Sequence, residues 1–212
     1  ATPQWARDLL SAIAVVAPFL LAVSLAATPF VDATTSWLGS TPTSGWSNKI
    51  ELCDADGDGD VDAFVANGAA YAEADAPELP FFWRNTGTSF VLDELPVPAG
   101  WWRVVKCADV DGDGDSDVFF GGTFESRSFL ALNVGGSFVD GSDRLPDDVG
   151  SFGDAEFADL DGDGRVDLAL ADWGAGDPLG NGGAQPRLWM QRGEPGDPWF
   201  VDESAARLPN KK

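Results

Sequence analysis

Carboxylates at alternate residues of a glycine-containing turn are a ligand set for a hard cation, and this chain has three such turns. They read Asp54-Ala55-Asp56-Gly57-Asp58-Gly59-Asp60-Val61-Asp62, Asp109-Val110-Asp111-Gly112-Asp113-Gly114-Asp115-Ser116-Asp117 and Asp159-Leu160-Asp161-Gly162-Asp163-Gly164-Arg165-Val166-Asp167. In each copy, positions 1, 3, 5 and 9 are acidic and positions 4 and 6 are glycine. Ca2+ takes about six to eight oxygen ligands at ~2.3–2.6 Å, which such spacing supplies. The glycines give the turn the positive-φ freedom that curling around an ion requires. Position 7 differs among the copies (Asp60, Asp115, Arg165), as expected if that residue ligates through its backbone carbonyl. The alternative is a solvated acidic turn. Three copies in matching register argue against it, because four or five carboxylates crowded into nine residues repel one another without a cation.

The loop is not that of an EF-hand, which has a bidentate Glu at position 12 and a following helix. Here position 12 is Val65, Phe120 or Leu170. The residues leaving the loops form short apolar runs that end at Gly68, Gly121 and Gly174. They are too short for helices and suit buried strands. A dockerin-like pair, which also needs following helices, is excluded on the same ground.

These loops sit inside a larger repeat. A glycine stands nine residues before each first loop Asp (Gly45, Gly100, Gly150), with aromatic residues close behind (Trp46, Trp101-Trp102, Phe152). One alternating strand leads into the loop, carrying Ile50 and Leu52, Val105 and Cys107, or Ala155 and Phe157, and a second strand leaves it. A third strand ends in Asn85, Asn133 or Gln191, and a Phe-centred fourth follows at Phe90, Phe138 or Phe200. Each unit closes on Leu-Pro: Leu95-Pro96, Leu145-Pro146, Leu208-Pro209. The resulting organisation is repeat 1 over 45–99, repeat 2 over 100–149 and repeat 3 with a tail over 150–212. Four strands at this period predict an all-β array of propeller-like blades, in which one unit cannot bury its own face.

The remaining stretches are of other kinds. Residues 1–30 are nearly all apolar from Leu9 to Ala27, long enough as a helix to cross a bilayer. Three readings compete: a retained signal-anchor through residues 5–27 (the favoured one), a cleaved secretory signal, and a hydrophobic helix packed within an assembly. All three place residues 31–212 outside the cytoplasm, periplasmic or extracellular. Residues 31–44, rich in Ser, Thr and Pro, read as a linker. Cys53 and Cys107 lie one and two residues before loops one and two. Equivalent places in neighbouring repeats come close, which favours a disulfide in an oxidising compartment. The one-residue offset reverses strand facing, which favours two free thiols.

Composition narrows the function classes. The formal net charge is -22, and fourteen of the 35 acidic residues are in the three loops. About three Ca2+ ions would bring the net charge to about -16 (-22 plus 6). Such a surface does not attract nucleic acid or an anionic membrane. The chain has no His, which rules out His-based acid/base or zinc chemistry. Carboxylate catalysis stays open on Glu73, Glu78, Glu94, Glu125, Glu156, Glu194 and Glu203, none of which sits in a recognisable motif. Trp173-Gly174 and Trp199 lie in turn-rich stretches and could stack a glycan, although inter-blade packing is the favoured role for Trp here.

From Gly45 to about Pro209 the D-x-D-G-D-G-x-x-D loop between strands, followed by N-x-G and Phe, resembles the FG-GAP/VCBS repeat family. These are the Ca2+-binding blades of integrin-α-like β-propellers and of many bacterial surface proteins. The resemblance implies one Ca2+ per loop, held by side chains at positions 1, 3, 5 and 9 and by the carbonyl of 7. The ligand sets are then Asp54, Asp56, Asp58, Asp60 and Asp62; Asp109, Asp111, Asp113, Asp115 and Asp117; and Asp159, Asp161, Asp163, Arg165 and Asp167. Taken with the apolar N-terminal segment, the expected function is a non-enzymatic, membrane-anchored module for assembly or adhesion; the alternatives are an accessory subunit of a membrane complex or filament, and a carbohydrate-binding or carboxylate-based carbohydrate-active protein. Propellers generally close with at least about four blades and those of the family with about seven. Three blades are too few for one ring, so pairing with other protein subunits is expected.

Overall fold

The computed structural model describes residues 30–39, 45–68, 76–174, 183–194 and 199–209. The expected apolar helix of residues 1–30 therefore lies, but for Phe30, outside the described residues. Among those described, no helix is long and apolar enough to cross a membrane.

Three four-stranded antiparallel sheets carry the chain. The first contains β1 (Ser47–Cys53), β2 (Asp62–Asn67), β3 (Phe81–Asn85) and β4 (Phe90–Asp93). The second contains β5 (Trp102–Ala108), β6 (Asp117–Gly122), β7 (Phe129–Asn133) and β8 (Phe138–Asp140). The third contains β9 (Phe152–Ala158), β10 (Asp167–Asp172), β11 (Arg187–Gln191) and β12 (Phe200–Asp202). Strand order follows chain order in each sheet, and none of the sheets closes on itself. These are the three blades the repeat predicts. All of them lie in one compact unit, Thr35–Lys212. A short helix, α1 (Thr34–Leu38), falls in the stretch that composition marks as a linker. Its Trp37 ring packs 5.7 Å from that of Phe90. A second, α2 (Ser204–Arg207), follows β12.

Strand register puts repeat positions in correspondence. Cys53 pairs with Asp62, Ala108 with Asp117 and Ala158 with Asp167, so each loop bridges the first two strands of its sheet. Alternation then sends one set of side chains toward each neighbouring blade. Between blades one and two, Phe64 and Phe82 meet Val118, Phe120 and Phe129. Between blades two and three, Val104, Phe119 and Leu130 meet Leu168, Leu170 and Trp189. Phe64 and Phe82 stack at 4.5 Å, with the Phe138 ring edge-on to both. Phe119 meets both Phe157 and Trp189 edge-on at 6.2 Å. These are preferred aromatic geometries, and they make the blade-to-blade contact the core of the molecule.

Blade one departs from the expected half-buried first strand. Ile50 and Leu52 are 58% and 60% exposed, while Val105 and Ala155, which occupy the position of Ile50, are buried. Those two are covered by the preceding blade, and no sheet precedes blade one among the described residues. Glycine is required where blades join. A Cβ on Gly100 would lie 2.5 Å from the Trp102 ring, and one on Gly150 would lie 2.3 Å from the Phe152 ring. In blades two and three the aromatic residue two places on packs against the glycine, whereas in blade one Gly45 is approached by the Glu78 side chain instead.

Covalent and ionic ties cross the same interfaces. Cys53 and Cys107 form a disulfide with Cα atoms 6.5 Å apart, joining β1 of blade one to β5 of blade two. Their one-residue offset is accommodated because the two strands belong to different, adjacent sheets. Glu51, Lys106 and Glu156 are equivalent by register. Lys106 Nζ stands 2.8 Å from Glu156 and 3.6 Å from Glu51, linking all three first strands. Lys49 of blade one also pairs with Asp154 of blade three.

Candidate metal centres

The three loops adopt one geometry. The position-1 carboxylate accepts from the amides of both glycines: Gly57 and Gly59 to Asp54 at 2.8 and 2.9 Å, Gly112 and Gly114 to Asp109 at 2.7 and 3.0 Å, Gly162 and Gly164 to Asp159 at 2.6 and 2.9 Å. Position 3 accepts from the amide of position 5 in loops one and two, and position 5 from that of position 7 in all three. All six glycines have φ between 73° and 97°, where other residues are disfavoured.

The position-9 aspartates, Asp62, Asp117 and Asp167, begin the second strands and are 0% exposed. One oxygen of each accepts from the position-2 amide (Ala55, Val110, Leu160) at 2.9, 2.8 and 2.9 Å. The other accepts from the last amide of the third strand (Asn85, Asn133, Gln191) at 2.7, 2.8 and 2.8 Å. Each carboxylate thus ties the loop to two strands of its sheet. Burial, opposed by these hydrogen bonds, raises Asp62 above the usual carboxylate range. Asp117 is pushed up to about 7, first by burial and further by the charges of Asp111 and Asp113. Burial also raises Asp111. In loop three, the amide of Gly164, ahead of other backbone donors, lowers Asp159.

The donor set fits a cation. Asp54, Asp56 and Asp58 offer oxygens that all lie within 4.8 Å of one another, and so do Asp109, Asp111 and Asp117, and Asp159, Asp161 and Asp167. An ion with metal–oxygen bonds of about 2.4 Å spans oxygens up to about 4.8 Å apart. Among the described residues, no Lys or Arg forms an ion pair with a carboxylate of loop one or loop two. Arg84 acts on Asp56 and Asp62 only at longer range, and buried, crowded carboxylates without a close ion pair are what a bound cation neutralises. At position 7 the Asp115 side chain turns away to accept from Gly135 at 2.9 Å, which leaves its carbonyl as that residue's contribution to the loop.

The elevated carboxylates give a pH dependence with a definite sign. Asp117 titrates near 7 in the fold against about 3.9 in the unfolded chain. A raised folded pKa contributes stability that is fully present below about pH 4 and lost as pH rises through about 7. The upward shifts of Asp62 and Asp111 act in the same direction. Metal-free protein should therefore melt lower at pH 8 than at pH 5, and excess Ca2+ should remove the difference. A flat or rising metal-free profile would contradict this account.

The residues most easily missed in the sequence join loops to neighbouring blades. Asn133 Nδ2 donates at 2.6 Å to the carbonyl of Ala55, position 2 of the preceding blade's loop. Gln191 Nε2 donates to the carbonyl of Val110, the same place one blade on. Ala55 and Val110 are 3% exposed beneath these contacts, whereas the equivalent Leu160 is 45% exposed. The Asn or Gln ending each third strand was the visible signal. Its role became readable only once the blades were stacked.

Outside the loops, Asp148, Asp172 and Asp202 meet at Arg187, at 2.5, 3.0 and 3.2 Å. Glu156 pairs with Lys106, Glu203 with Arg192 and Arg207, and Glu78 accepts from the Trp46 amide at 3.0 Å. Glu73 lies outside the described residues. Trp173 has the Arg103 guanidinium 4.8 Å over its ring and packs against Gly153, so one ring face is already taken, while Trp199 is exposed.

No curated protein matches the chain. Residues 109–170 match the family model of the FG-GAP-like repeat. That span opens on the first Asp of loop two, runs through β6 to β9 and loop three, and ends in β10. The same sheet and loop recur before it in blade one, so residues 109–170 are similar to the FG-GAP-like repeat and blade one repeats their architecture.

Proposed function

We propose that this chain is a non-enzymatic, Ca2+-stabilised β-repeat module that acts outside the cytoplasm in protein–protein assembly or adhesion. The observation that carries the reading is the triplicate loop, in which three carboxylates converge, the buried position-9 aspartate being one of them in loops two and three. Asp54, Asp56, Asp58 and Asp62, with their counterparts in the other loops, would hold the ions. Bound Ca2+ supplies positive charge that discharges these carboxylates and couples metal binding to folding. The residues themselves orient the site. Position 1 gathers the glycine amides, and position 9 fastens the loop to its sheet.

The FG-GAP-like repeat supports a binding or scaffolding role over catalysis. Glu156 and Glu203 are engaged in ion pairs with Lys106, Arg192 and Arg207. The three sheets stay open, and blade one presents Ile50 and Leu52 to solvent. Such surfaces suit contact with other subunits. The apolar segment of residues 5–27 fits an anchor that holds the module at a membrane. Protein dialysed against micromolar Ca2+ should retain at least two ions per chain by atomic emission, and in mild detergent it should sediment as an assembly. Metal-free protein after that dialysis would refute the first part, and a single free monomer would refute the second.

A further inference from the structure

The three loops are not equivalent, and we infer that loop three is closed by arginines where loops one and two depend on Ca2+. The inference rests on the Ca2+ reading above and concerns how the sites divide. Loops one and two carry five aspartates and no basic residue, while loop three carries four aspartates and Arg165. Arg165 stands at position 7, and its guanidinium lies 2.5 Å from Asp163. Arg192 follows the last residue of β11, where blades one and two have the neutral Thr86 and Val134. It stands 3.1 Å from Asp161 and 3.5 Å from Asp163. Arg207, at the end of α2, reaches Asp161 at 3.1 Å.

Glu203 holds two of these arginines in place, at 2.7 Å from Arg192 and 2.6 Å from Arg207. Three guanidinium groups therefore converge on the position-3 and position-5 carboxylates. Their fixed forks suit carboxylates in two directions at once. A Ca2+ ion entering this loop would compete with them for Asp161 and Asp163. Loop affinity follows ligand charge and site rigidity, so the third site should bind Ca2+ at least about tenfold more weakly than the other two. It should also keep its shape without metal. Loop three would then remain ordered in calcium-poor surroundings, with loops one and two as the calcium-sensitive parts.

Two measurements on the full chain test this. Calorimetric titration with Ca2+ should resolve two tight sites and one weaker one. The variant R165D/R192T, which installs the repeat-one residues at both places, should bring the third site to within about threefold of the others. Three indistinguishable sites in the wild type, or a third site unmoved in the variant, overturns the inference. Hydrogen exchange on unmodified protein removes any dependence on how the variant folds. On chelation the amides of Gly57, Gly59, Gly112 and Gly114 should lose protection, and those of Gly162 and Gly164 should keep it. Equal loss in all three loops also overturns it. Absence of Ca2+ binding at every loop refutes the Ca2+ reading itself, a result distinct from three equal sites.

Discussion

Chelation should lower the melting temperature of this protein by about 20 °C. A ligand that binds only the folded state stabilises it by RT ln(1 + [L]/Kd), about 4 kcal/mol per site when the ligand is a thousandfold above Kd. Millimolar Ca2+ over micromolar sites meets that condition, and two tight sites give about 8 kcal/mol. For a chain of about 200 residues each kcal/mol moves the midpoint by about 2–4 °C. The structural reason is local. Asp62 and Asp117 are wholly buried beside carboxylates that form no ion pair among the described residues, with Arg84 acting on Asp56 and Asp62 only at longer range, so the metal-free loops hold excess negative charge. Differential scanning calorimetry in 1 mM Ca2+ and then in excess EDTA checks this. A midpoint that moves by less than about 3 °C would reject a structural role for the metal.

The second large effect belongs to the blade interface. Phe119 is fully buried in β6 and faces blade three, where Phe157 and Trp189 meet it edge-on at 6.2 Å. Replacing it with Ala removes about 3–5 kcal/mol by lost burial and an unfilled cavity. At about 2–4 °C per kcal/mol the Ca2+-loaded protein should melt about 10 °C lower. Among the described residues, blade three buries its apolar side against blade two. Loss of Phe119 should therefore act on both blades, leaving one transition if they unfold together. Val139→Ala, on an exposed position of β8, should change stability by less than about 0.5 kcal/mol. Urea unfolding of the two variants separates the cases. A Phe119→Ala cost below about 1 kcal/mol would show that the blades do not share a core.

Much of this was legible from local patterns. The Asp-Gly loops announced themselves because carboxylate spacing and glycine φ are properties of nine consecutive residues. The strands on either side followed from alternation, since Val118 to Phe120 and Leu168 to Leu170 have no helical spacing. The glycine before each first strand was visible too, although its reason was not. Only the packed structure shows the Trp102 and Phe152 rings lying on Gly100 and Gly150.

Contacts between repeats could not be read in this way, because they join residues far apart in the chain. The disulfide spans a separation of 54 residues. Facing within one strand argued against it, but the two cysteines lie on neighbouring sheets, where that argument does not hold. The Asn133 bond to Ala55 crosses 78 residues, and the Gln191 bond to Val110 crosses 81. Arg192 and Arg207 carry no motif. Their place over Asp161 follows from where β11 and α2 end, not from the residues around them.

The sequence by itself determined the unit: a four-stranded sheet with a carboxylate loop between its first two strands, repeated three times. That information is short-range, held in periodicity, turn residues and ligand spacing. The tertiary structure decided how the units differ. Stacking buries Ala55 and Val110 and leaves Leu160 exposed. It also gathers three arginines onto one loop of three, because charge compensation depends on which chain ends meet in space.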